Sequence, residues 1–156
     1  MSQSWHDSAV SDDSWTTQGQ KADAGLAPVR CLLGEWTGEG HCHGQTVVGR
    51  MRGVALLDGT WIEVEETLTG ADGAVVHTDR CLYRFNVESE ALEAIQLFER
   101  ASMTTSLVEP TEDGFRWITG PGAPQLRFIV ADSGLRYTVH LPDEDGPAAE
   151  LVYKRA

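Results

Sequence analysis

From Glu35 to the C-terminus, apolar and polar side chains alternate with a period of two, in short runs broken by turn residues. The runs cover 35–43, 46–57, 60–69, 74–86, 91–100, 102–109, 114–119, 124–131, 134–141 and 148–155, and they predict about ten strands. Asp58-Gly59, Asp72-Gly73, Asp113-Gly114, Ser133-Gly134 and Asp145-Gly146 stand at the breaks. Asp-Gly suits a tight hairpin because both central residues of a type I′ turn need positive φ. Parallel strands would need helical crossovers, and no helical period interrupts the series. Successive hairpins therefore predict an all-β, antiparallel up-and-down meander. Closing it into a barrel removes its exposed edges.

The pattern before Glu35 differs. Residues 1–25 are rich in Ser, Asp, Gln, Thr and Gly, too polar to offset the entropy of ordering, so a flexible tail is expected ahead of one domain over 26–156. Trp5 and Trp15 support a second arrangement, in which the tail folds back over a cavity mouth. In Leu26-Ala-Pro-Val-Arg-Cys-Leu-Leu33, Pro28 suits a first helical turn and the following Gly34 a helix end. Val29, Leu32 and Leu33 share one face there, predicting a short helix that closes one end of the barrel.

Alternation also proposes which side chains enter the lumen. On strand 74–86 the inward set is Val75, His77, Asp79, Cys81, Tyr83 and Phe85, with His77 and Asp79 nearer the mouth. Leu92, Ala94, Gln96 and Phe98 form a second inward row, Phe115 and Trp117 a third, and Leu135, Tyr137 and Val139 a fourth. Strand 60–69 reads both ways. Simple hydrophobicity turns Ile62, Val64, Glu66 and Leu68 inward, whereas a polar ligand site would turn in Trp61, Glu63 and Glu65. Aromatic walls with a few polar groups suit a small-molecule pocket, and a barrel of this size holds one small ligand when its side chains do not fill it. Glu65, Tyr83, Gln96, Phe98, Trp117 and Tyr137 are accordingly the candidate ligand-binding residues.

Composition narrows the partners. The chain has 156 residues, with 12 Lys and Arg against 24 Asp and Glu, a net charge of −12 and a pI near 4.7. Such a surface repels nucleic-acid phosphates and anionic lipid, which leaves a small apolar molecule as the expected partner, with a homodimer left open. No apolar run reaches membrane-spanning length, and the N-terminus has neither the basic nor the apolar region of a signal peptide. Three cysteines without CxxC spacing fit reduced thiols and a cytoplasmic location.

The opening Leu33-Gly34-Glu35-Trp36-Thr37-Gly38-Glu39-Gly40 resembles that of nitrobindins and related lipocalin-like bacterial domains. The wider lipocalin and fatty-acid-binding-protein group shares the Gly-x-Trp element. The likeness continues more loosely through Leu57-Asp58-Gly59-Thr60-Trp61-Ile62 and the terminal Leu151-Val152-Tyr153-Lys154-Arg155. It implies that Trp36 plugs the closed end, that the first and last strands are neighbours, and that Arg155 or Lys154 covers the Trp36 ring. Nitrobindins hold heme b through a histidine near the start of the last strand. The matching stretch here, Gly146-Pro-Ala-Ala-Glu-Leu151, has none, so no axial ligand carries over and no cofactor is expected. His140 and His77 are the alternative axial ligands if heme is bound.

Candidate chemistry is sparse. His41 and His43 share a strand face from which Cys42 points away, a poor geometry for three-point metal ligation, and no metal is expected. His77 and Asp79, two apart on one face, suit either a polar rim or a base whose tautomer the carboxylate sets. They are the catalytic candidates if the barrel is an enzyme, for instance a cyclase or isomerase acting by confinement. Phosphate-loop, nucleophile-elbow and zinc-protease motifs are all missing from the sequence.

Overall fold

The computed structural model describes residues 12–98 and 102–156, with side chains for these except 12–15 and Phe98. Ten strands form one closed antiparallel barrel in which every strand pairs with its chain neighbours and the last closes on the first. They are β1 (Gly34–Cys42), β2 (Gln45–Leu56), β3 (Trp61–Gly70), β4 (Val75–Asn86), β5 (Ala91–Phe98), β6 (Ser102–Thr111), β7 (Gly114–Ile118), β8 (Gln125–Ala131), β9 (Gly134–His140) and β10 (Pro147–Arg155). The expected meander is thus the observed fold. No helix among the described residues is long and apolar enough to cross a membrane.

The turns are less uniform than the dipeptides suggest. Of the five, Asp58-Gly59 alone has both residues at positive φ, 56° and 84°. At β6–β7, Gly114 opens the next strand instead, where a Cβ would collide with the Phe128 carbonyl oxygen. The two-residue connection from β1 to β2 uses His43 at φ 48° and Gly44 at φ 77°, in place of an Asp-Gly pair.

Residues 12–25 depart from the sequence reading. Instead of a structureless tail they form helix α1 (Asp12–Gly25), which lies along β4. Ala22 is buried, and Gly25 meets the Phe85 ring at a spot no side chain could share. Asp23 pairs with Arg30, joining α1 to the segment that follows. Trp5 and the Trp15 side chain, on which the folded-back tail rested, lie outside the described residues.

The expected short helix is a 3-10 helix over Ala27–Leu32. Its buried face is Leu26, Val29 and Leu32, each fully enclosed, rather than Val29, Leu32 and Leu33. Three residues per turn bring i, i+3 and i+6 into line, which leaves Leu33 to the side. These side chains plug the barrel end together with Trp36. The Trp36 Nε1–H donates to the Leu32 carbonyl at 3.1 Å, and the Arg155 guanidinium lies 4.0 Å from the ring centroid. Arg155 faces Trp36 across the β1–β10 pair and also donates to the Leu33 carbonyl.

The β1 glycines shape the lumen. A Cβ on Gly40 would strike the Glu150 carbonyl oxygen, so this position permits the close β1–β10 approach. Gly38 on β1 and Gly49 on β2 both press against the Tyr153 ring. Without side chains there, Tyr153 lies flat across the inner wall and extends its hydroxyl toward β3.

Candidate functional site

Above the closed end, rings fill the middle of the barrel. Tyr83 meets Phe115 and Trp117 edge-on with centroids 6.1 and 6.2 Å apart, Phe115 stacks on Phe128 at 4.8 Å, and Phe128 lies 4.8 Å from Tyr137. These rings come from β4, β7, β8 and β9, brought together because alternation turns one position in two inward. Two of them, Trp117 and Tyr137, line an open cavity of about 470 Å³. Leu68, Trp117, Leu126, Tyr137, Val139 and Ala149 supply its apolar wall, while Cys42, Glu66, Gln96, Thr104 and Ser106 contribute polar groups. His43 and His77 stand at its mouth, and no Lys or Arg lines it among the described residues.

A second, much smaller chamber of about 20 Å³ lies beneath, bounded by Glu66, Asp79, Cys81, Tyr83, Trp117, Tyr137 and apolar neighbours. Glu66, Trp117, Leu126 and Tyr137 border both spaces. The barrel wall is thin on this side. β7 and β8 pair only from Gly114 to Arg116, then diverge, so Trp117 and Leu126 also border a groove on the outer surface.

The polar floor is electrostatically unusual. Glu66 is 7% exposed, and its Oε1 accepts a hydrogen bond from the Tyr153 hydroxyl. Burial pushes its pKa up to about 7; the Tyr153 hydrogen bond opposes the rise, and the negative charge of Asp79 adds to it. Burial also raises Asp79, against the Gln96 amide and the His77 charge, which favour its ionised form. Cys42, Cys81, Tyr83 and Tyr137 are all raised, chiefly by burial, and so stay protonated near neutrality. The buried Trp117 Nε1–H makes no hydrogen bond of normal geometry, only a weak contact with the Tyr83 hydroxyl.

Four of the expected ligand-site and catalytic residues, His77, Gln96, Trp117 and Tyr137, line the main cavity together. Asp79 and Tyr83 sit one level lower, at the small chamber. The Phe98 side chain falls outside the described residues. Glu65 is a correction. It points outward and pairs with Arg80, while its neighbour Glu66 enters the lumen. The cause is packing. Ile62, Val64 and Leu68 are all nearly enclosed, and a strand cannot bury them without carrying Glu66 inward as well. The hydrophobic alternation already held that signal.

The histidines are scattered. His140 sits at the outer groove, and no histidine occupies an inward position of β10, whose lumenal side chains are Ala149, Leu151 and Tyr153. Among the described residues no three His, Cys, Asp or Glu side chains converge on a metal-binding geometry. All three cysteines are free thiols. The chain matches no protein-family model and no curated protein.

Proposed function

We propose that this protein is a lipocalin-like barrel that binds one small, largely apolar molecule in its lumen. The observation that carries the reading is the open cavity of about 470 Å³, within the range of ligand pockets and walled by apolar side chains with a few polar groups. Trp117, Tyr137, Leu126 and Val139 act as walls, and Gln96 and His77 orient the molecule near the mouth. Heme has no part in the reading. The last strand offers no inward histidine, His140 lies outside the lumen, and His77 stands at the rim beside Asp79 rather than over the floor. The free thiols accord with a reducing cytoplasm.

The test is a fluorescence titration with N-phenyl-1-naphthylamine, a neutral apolar dye. Wild-type protein is expected to bind it saturably, and Tyr137→Ala to bind it about tenfold more weakly, as loss of a buried aromatic contact does. Val139→Trp, which adds bulk at the cavity wall, should abolish binding while circular dichroism retains the β-sheet spectrum. Unchanged binding in both folded variants would rule out the lumen as the site.

One observation supports a second reading, an enzyme. Glu66, whose pKa burial pushes up to about 7, is suited to proton transfer, more so than Asp79 beside the exposed His77. That reading requires turnover of a bound molecule to follow the titration of Glu66 and to disappear in Glu66→Gln.

A further inference from the structure

Three features of the lumen bear on what its ligand carries at the buried end. The cavity and the chamber beneath have no Lys or Arg among their lining residues but two carboxyl groups, Glu66 and Asp79, on a chain of net charge −12, and the His77 charge at the mouth already acts on Asp79. An anionic head reaching the chamber would meet no cationic side chain there and would face like charge, a combination that low-dielectric surroundings penalise strongly. Second, Trp117 is 95% buried and borders both spaces, yet its Nε1–H makes no hydrogen bond of normal geometry, only a weak contact with the Tyr83 hydroxyl. Indole N–H is a donor only, so it asks for an acceptor. Third, Glu66 uses Oε1 for the Tyr153 hydroxyl, which leaves Oε2 to accept from an incoming donor. The chamber between these groups, about 20 Å³, suits one water-sized oxygen.

We propose, building on the lumenal-binding reading, that the ligand carries an uncharged head with both an acceptor and a donor, a hydroxyl or amide, seated between Trp117 Nε1 and Glu66, and that carboxylates are rejected. The head's oxygen reaches into the chamber while the apolar body occupies the main cavity. A cationic amine would satisfy the carboxyls but leave the indole without a full hydrogen bond; an ester or ether would do the reverse. Only a neutral group with both functions completes the set.

The probes are naphthalene, 2-naphthamide and 2-naphthoate, which share one apolar body, titrated calorimetrically at pH 8, where the naphthoate is ionised. The amide is expected to bind at least about tenfold more tightly than the naphthoate, the scale set by one buried hydrogen bond. Trp117→Phe keeps an aromatic ring in the wall, removes the N–H and makes the wall smaller, so the amide is read against naphthalene in the same variant. The substitution should lower amide affinity about tenfold more than it lowers naphthalene affinity. Naphthoate binding as tightly as the amide would overturn the proposal, as would an unaltered amide-to-naphthalene ratio in Trp117→Phe. In both cases naphthalene binding would leave the apolar-cavity reading standing. Failure of all three probes to bind folded protein would remove that reading and this proposal with it.

Discussion

Replacing Glu66 with Gln tests the electrostatics of the lumen most directly. The side chain is buried, and its pKa rises from an ordinary value of 4.5 to about 7, with burial as the main cause. Because the folded protein holds this proton more tightly than the unfolded chain, folding is favoured most below pH 4.5. That contribution is lost as pH rises through about 7. At about 1.4 kcal/mol per pH unit, the interval amounts to about 3 kcal/mol. Gln has nearly the same shape and offers an oxygen to the Tyr153 hydroxyl, but it cannot ionise. Glu66→Gln should therefore be nearly neutral at pH 4.5 and more stable than wild type by up to about 3 kcal/mol at pH 8. In a chain of this length that corresponds to about 6–12 °C in Tm. Urea unfolding of both proteins at the two pH values measures it, and the double difference cancels every other titrating group that the substitution leaves undisturbed. The reasoning fails if that double difference is within about 0.5 kcal/mol of zero, or if wild type gains on the variant as pH rises.

Two further perturbations address the frame of the barrel. Arg155→Met removes both the contact with the Trp36 face and the hydrogen bond to Leu33 while keeping much of the aliphatic stem. A loss of about 1–2 kcal/mol in chemical unfolding is expected, and no loss would mean the closing contact contributes only shape. Gly40→Ala places a methyl group against the Glu150 carbonyl oxygen. It should cost about 1–3 kcal/mol and accelerate amide exchange along the β1–β10 seam, whereas exchange unchanged at Leu151 and Tyr153 would show that the strands absorb the methyl without separating.

How far the sequence reaches is clearest in β3 and β10. The strands, their antiparallel order and most lumen-facing positions follow from a period of two, which is local and survives in any window of the chain. A cation from Arg155 or Lys154 over Trp36 follows from the resemblance around Gly-x-Trp, and the β1–β10 register selects Arg155. The period of two equally carries Glu66 inward with Ile62, Val64 and Leu68, but polar character at Glu65 competed with it and pointed to the wrong face. Weighing burial of three apolar side chains against one favourable polar group resolves that conflict.

Other features were decided only by tertiary structure. Helix α1 has weak amphipathic character of its own, and its docking rests on Ala22 and on Gly25 against Phe85, a residue 60 positions away. The Tyr153–Glu66 hydrogen bond spans 87 residues and depends on glycines at 38 and 49 leaving room for the ring. The raised pKa of Glu66 and the Trp117 N–H without a full hydrogen bond exist only because closure removes both from water. Alternation in the sequence determines which side chains face the lumen. What those side chains meet there, and how far solvent is excluded from them, depends on the register between distant strands, which no local pattern encodes.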